Sequence, residues 1–144
     1  MLDTVLSAIR AARPTLSPLP SAIVEAICTA EGSIGRVEQV AQAFGLRNRF
    51  KLKRVLQRER LPSVPRMAKW ATVVAWVRAA ERDGTSLCWI AFHTGRHPAA
   101  CYRLVKEVTG LCWTDVRARG SAWVEREFVR QLSPHPRKPT PPSF

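Results

Sequence analysis

Residues 37–45 read VEQVAQAFG and residues 87–95 read LCWIAFHTG. The two stretches share one pattern at an offset of 50: Val37, Val40, Ala41 and Gly45 stand against Leu87, Ile90, Ala91 and Gly95. Apolar residues three and four apart make one face of a helix. The small Ala41 and Ala91 let a second helix cross closely. Gly45 and Gly95 supply the left-handed backbone that ends the first helix and turns the chain. Each copy precedes a basic amphipathic segment in which Arg54 matches Arg103 and Leu56 matches Val105, at an offset of 49. One turn is therefore expected to be a residue longer than the other. Helix, glycine turn and second helix, twice over, is the pattern of a tandem helix-turn-helix. Two ordinary hairpins of a helical bundle are the plain alternative.

Outward from this repeat the chain reads as all-α, because alternating strand patterns with hairpin turns are absent. Helices are expected over about 3–13 and 21–31, with TLSPLP as a linker between them. The first pair spans about 36–44 and 48–59, and the second about 86–93 and 98–109. Between them a helix over about 65–82 carries apolar residues on a wide arc and should pack on both sides. A last helical stretch over 114–132 is expected to break at Gly120. The division is thus an N-terminal helix and linker (1–20), a first helix-turn-helix subdomain (21–63), a linker helix (64–84), a second subdomain with a C-terminal helix (85–132), and a disordered proline-rich tail, SPHPRKPTPPSF (133–144).

The charge is lopsided. Lys and Arg number 23 against 11 Asp and Glu, a net +12. Between Arg47 and Lys69 nine basic residues face one acid, Glu59, so +8 is concentrated in one stretch. Such a balance suits a polyanion, nucleic acid first and an anionic membrane surface second. No secretory signal and no apolar run of spanning length is visible, so a cytoplasmic, nucleoid-associated protein is expected. Its cysteines Cys28, Cys88, Cys101 and Cys112 are expected to be reduced and buried. The spacing of Cys88, His93, His97 and Cys101 matches no standard zinc site. No phosphate loop, paired carboxylates or Ser/His/Asp set appears, so neither an enzyme nor a cofactor is expected. The tryptophans are expected mostly in the core. Trp89, facing away from Ile90, is expected at the surface, where it would suggest a protein partner.

From Ser21 to Gly120 the chain resembles the DNA-binding domain of the AraC/XylS family. VEQVAQAFGLRNRFKLKRVLQRERLPS is similar to the family's first unit and PRMAKWATVVAWVRAAERDG to its linker helix. SLCWIAFHTGRHPAACYRLVKEVTGLCWTDVR is similar to the second unit, where Ser86, Leu87, Ile90, Ala91, Gly95, Arg103, Lys106, Thr109, Gly110 and Arg117 fall on the pattern. The chain departs from it at Cys101 and Val105, commonly aromatic positions, at Cys112-Trp113, where Thr-Pro is usual, and at Arg60, where glycine is usual. The resemblance implies two helix-turn-helix subdomains joined by a linker helix, with recognition helices in successive major grooves roughly 34 Å apart. It implies a sequence-specific transcription regulator, monomeric on asymmetric double-stranded DNA. With so few residues ahead of the match, a stand-alone DNA-binding domain without a sensor domain is expected. The terminal extensions are then expected either to pack onto the domain, the favoured reading, or to dock RNA polymerase or another protein. Two further readings are a DNA-tethering adaptor in a mobile-element or phage assembly and an interaction module that does not touch DNA.

The residues expected at DNA are Arg47, Asn48, Arg49, Lys51, Lys53 and Arg54, leading the first recognition helix, with Arg58 on phosphate. In the second unit they are His97, Ala99, Ala100, Tyr102 and Arg103, with Arg96 and Lys106 on the backbone. Arginine can hold guanine O6/N7 bidentately, asparagine can hold adenine N6/N7, and alanine can meet a thymine methyl. Arg103 can equally brace the domain.

Overall fold

The structure, a computed structural model, describes residues 2–133. Beyond Ser133 the expected proline-rich tail lies outside the described residues. Those described form nine helices and no strand: α1 (Leu2–Ala12), α2 (Pro18–Thr29), α3 (Val37–Ala43), α4 (Arg49–Arg58), α5 (Val64–Asp83), α6 (Leu87–His93), α7 (Pro98–Thr109), α8 (Trp113–Arg119) and α9 (Ser121–Leu132).

The all-α expectation holds, with two corrections. First, α2 begins inside the expected linker. Ser17 precedes it in extended backbone, Pro18 opens it and Pro20 is buried in its first turn. Proline is tolerated there because the missing N–H has no partner in the first turn anyway. The last stretch is two helices, α8 and α9, parted at Gly120 as expected. The Glu81 carboxylate accepts both the Ser121 N–H, at 2.8 Å, and its hydroxyl, at 2.6 Å, and so ties the start of α9 to α5. Second, only Cys28 and Cys101 are buried, whereas Cys88 and Cys112 are exposed. Burial pushes the Cys28 thiol up to about 11, which keeps it protonated and inert.

The long helix α5 organises the rest. It buries residues all round, from Val64 and Met67 through Trp70, Val73, Trp76 and Val77 to Ala80. It packs against α2 on the side of the first helix pair, and against α6, α7 and α9 on the side of the second. This is the two-sided packing that its wide apolar arc predicts. Phe128 of α9 lies stacked on Trp70, with ring centroids 6.2 Å apart. Two ion pairs reinforce the arrangement: Lys69–Glu107 at 2.8 Å links α5 to α7, and Arg78–Glu125 at 2.6 Å links α5 to α9.

The N-terminal helix is part of this body. α1 packs on α9 and α2, with Val5 and Ile9 buried. Just beyond it, the Arg13 guanidinium donates to the Leu132 carbonyl at 2.8 Å and to the Glu59 carbonyl. One cation thus satisfies carbonyls at the C-terminal ends of both α4 and α9, where the helix dipole favours positive charge.

Candidate nucleic-acid interface

The two repeats fold alike at the turn. α3 and α6 are each seven residues long, and their starts lie 50 apart. After α3, Gly45 takes φ +71 and Leu46 N–H returns to the Ala41 carbonyl at 2.8 Å; after α6, Gly95 takes φ +70 and Arg96 N–H returns to the Ala91 carbonyl at 2.9 Å. Ala41 and Ala91 are wholly buried, and Val40 and Ile90 nearly so. The unequal turn is present too: residues 44–48 separate α3 from α4, whereas residues 94–97 separate α6 from α7.

The second helix of each pair is held at its start. Asn48 caps α4, its Oδ1 accepting the Lys51 N–H at 3.0 Å. His97 caps α7, its Nδ1 accepting the Ala99 N–H at 3.2 Å. The cap commits the Asn48 oxygen, so bidentate reading of adenine, which needs the carboxamide oxygen and nitrogen together, competes with it. α4 buries Leu52 and Leu56, and α7 buries Cys101, Val105 and Val108. Helical rotation puts Arg54 directly opposite the buried face of α4 and Arg103 opposite that of α7. The matched arginines occupy matched outermost positions.

All fourteen residues expected at DNA are exposed. Arg47 and Asn48 precede α4, which carries Arg49, Lys51, Lys53, Arg54 and Arg58; Arg96 and His97 precede α7, which carries Ala99, Ala100, Tyr102, Arg103 and Lys106. Their surroundings differ. Arg49 makes a 3.5 Å ion pair with Glu38 of α3 and lies over the Phe50 ring. Arg96 lies over the Trp76 ring at 5.4 Å, which ties the second turn to α5. The Tyr102 hydroxyl is 3.8 Å from the Cys88 sulfur. Among the described residues, Arg47, Lys51, Lys53, Arg54 and Arg58 make no ion pair, nor do Arg103 and Lys106.

Sequence reasoning passed over Phe50 and Gln57. Both are exposed on α4, one turn either side of Arg54, and Phe50 is 59% exposed. The signal was available, since both lie opposite Leu52 and Leu56 on the helix. Trp89 is exposed as expected, and Phe92 beside it is 76% exposed. Trp70 and Trp76 are buried and Trp113 and Trp123 half-buried.

No family model, curated protein or solved structure matches the chain. The functional reading rests on the surface chemistry of the two helix pairs. Among the described residues no group of three or more His, Cys, Asp or Glu side chains is placed to hold a metal ion, and no helix is long and apolar enough to cross a membrane.

One position in this surface is strained. Arg60 closes α4 with φ +55, whereas Gly110 closes α7 with φ +76. A residue with a Cβ costs about 1–2 kcal/mol in that conformation. Part of this gain is offset when glycine is introduced, because glycine is freer in the unfolded chain. Arg60→Gly is therefore expected to raise the stability by about 0.5–1 kcal/mol. A higher urea midpoint at unchanged slope would show it.

Proposed function

We propose that this protein is a double-stranded DNA-binding transcription regulator of AraC type, whose two helix-turn-helix units place α4 and α7 in successive major grooves. The observation that carries the reading is the outward face of α4. Four of its cations (Lys51, Lys53, Arg54 and Arg58) and Arg47 of the preceding turn have no acidic partner among the described residues, on the second helix of a pair closed by a glycine turn. Such a helix presents unneutralised charge to phosphate and an arginine to base edges. α7 repeats the geometry with fewer cations, so the first unit supplies most of the affinity.

Selection from a random duplex pool at about physiological salt tests this. Enrichment of a motif in two halves, one helical turn apart, is the expected result. Salt-sensitive binding without enrichment would favour the adaptor reading instead. One feature supports that second reading. The outward positions of α6 are Trp89, Phe92 and His93, with the Trp89 and His93 rings stacked at 3.6 Å; the same positions of α3 are Gln39, Gln42 and Ala43. An aromatic surface that the fold does not demand suits a protein contact.

Glu38 supplies a smaller test. It neutralises Arg49 in the free protein, and DNA must displace it. Glu38→Gln frees the arginine and removes a charge that repels phosphate. Tighter binding, by no more than about fivefold, is expected, since exposed pairs are worth ~0.2–1 kcal/mol. Titration of a labelled duplex with both proteins at one salt concentration measures it.

A further inference from the structure

A half-open groove of about 460 Å³ runs between α4 and the start of α5. Leu56, Leu61 and Val64 are among its apolar floor, and Arg49, Phe50 and Lys53 stand along it. The repeat explains why there is room. Val64 is the first residue of the helix that follows the first pair; Trp113 is the first residue of the helix that follows the second. Trp113 is half-buried against the core. Where the second unit brings its own indole, the first unit has only an isopropyl group.

We propose that this groove docks an acidic segment of a protein partner, anchored by one large aromatic side chain. The valine in place of tryptophan sets the size of the anchor. The rim sets the charge: Lys53 makes no ion pair among the described residues, and Arg49 pairs only with the exposed Glu38. A partner carboxylate gains a charge-assisted contact there. Phe50, 59% exposed at the rim, favours a macromolecule over a free small molecule. Small-molecule sites enclose most of their ligand, whereas exposed aromatics beside a pocket are typical anchors of protein interfaces. A second copy of this chain is a poor occupant, because a net +12 on each copy opposes association. The rim shares Arg49 and Lys53 with the proposed DNA face, so the partner segment and a duplex would compete for them; the test contains no DNA, and its failure leaves the duplex-selection experiment untouched.

The probe is a fluorescein-labelled peptide of alternating Glu and Asp with a single central Trp, followed by anisotropy. Its counterpart has Ala in place of Trp, and N-acetyl-tryptophan serves as the free small anion. The Trp peptide is expected to bind at micromolar concentration, about tenfold or more tightly than the Ala peptide. Val64→Trp, which places at the groove floor the residue type found at the matching position of the second unit, and Lys53→Glu should each weaken it by about tenfold. Should Val64→Trp not fold, Phe50→Ala, an exposed change at the rim, replaces it with the same expectation. Equal binding of the two peptides would reduce the site to bare charge and overturn the proposal. So would binding unaffected by the groove variants, N-acetyl-tryptophan binding as tightly as the peptide, or no binding of the Trp peptide at millimolar concentration.

Discussion

Replacing Lys51 and Arg54 together by alanine is expected to weaken duplex binding by about a hundredfold at ~0.1 M salt and to lower the slope of log K against log salt by about one, the share of the Lys51 phosphate contact. Both side chains are exposed, and neither makes an ion pair among the described residues. On the proposed reading each would therefore meet DNA without first giving up a protein partner. A phosphate contact releases about 0.9 of a condensed counterion, which near 0.1 M salt is worth close to a factor of ten in affinity. Arg54, opposite the buried Leu52 and Leu56, is also the residue of α4 best placed to reach a base edge. A bidentate guanine contact adds about 1–3 kcal/mol of discrimination. The double variant should lose sequence preference as well as affinity. Arg49→Ala should cost less, because Arg49 already has Glu38 and the Phe50 ring. Stability should stay within about 0.5 kcal/mol, as for surface changes that touch no cap or core contact; the cap on Lys51 uses its backbone N–H, which alanine retains. Unchanged affinity and slope would remove α4 from the DNA interface.

The repeat was legible because its determinants are local. Val40, Ala41 and Gly45, and their partners 50 residues on, specify a helix, a close crossing and a left-handed turn without reference to anything distant. The extra residue in the first turn could be read for the same reason. What escaped the sequence depends on contacts between remote segments. Arg13 looks like the end of an exposed helix, yet it reaches the Leu132 carbonyl 119 residues away. The start of α2 was hidden because Pro18 and Pro20 read as punctuation until a first turn accommodates them. On the candidate interface, charge and position along the chain were legible, and exposure followed from helical spacing. The availability of each cation was not. Arg49 and Lys53 look alike in the sequence, but only α3 decides that Arg49 carries Glu38 beside it.

Gly32→Ala should be the most damaging single-methyl change in the first unit, costing about 3–5 kcal/mol. Gly32 sits where the chain leaves α2, with φ +82. A Cβ there would lie 2.1 Å from the Thr72 hydroxyl oxygen, 2.3 Å from the Ala68 carbonyl oxygen and 3.0 Å from the Thr72 nitrogen. Two of the three atoms are backbone of α5, and the Thr72 hydroxyl is held by its 2.9 Å bond to the Ala68 carbonyl. The clash cannot be relieved by turning a side chain, so α2 must withdraw from α5. That contact seats the first helix pair on the rest of the molecule, through the packing of α2 on α4. Gly45→Ala makes the control. Gly45 has a similar φ of +71, but a Cβ there meets nothing within 4 Å. It should cost only the backbone term, about 1–2 kcal/mol. Set against a total stability of roughly 5–15 kcal/mol, the difference decides whether the first unit stays docked at 37 °C. Urea unfolding of the two variants separates the terms, since both lose the same glycine freedom and only one meets α5. Equal midpoints would mean that α2 and α5 are not in contact at this point.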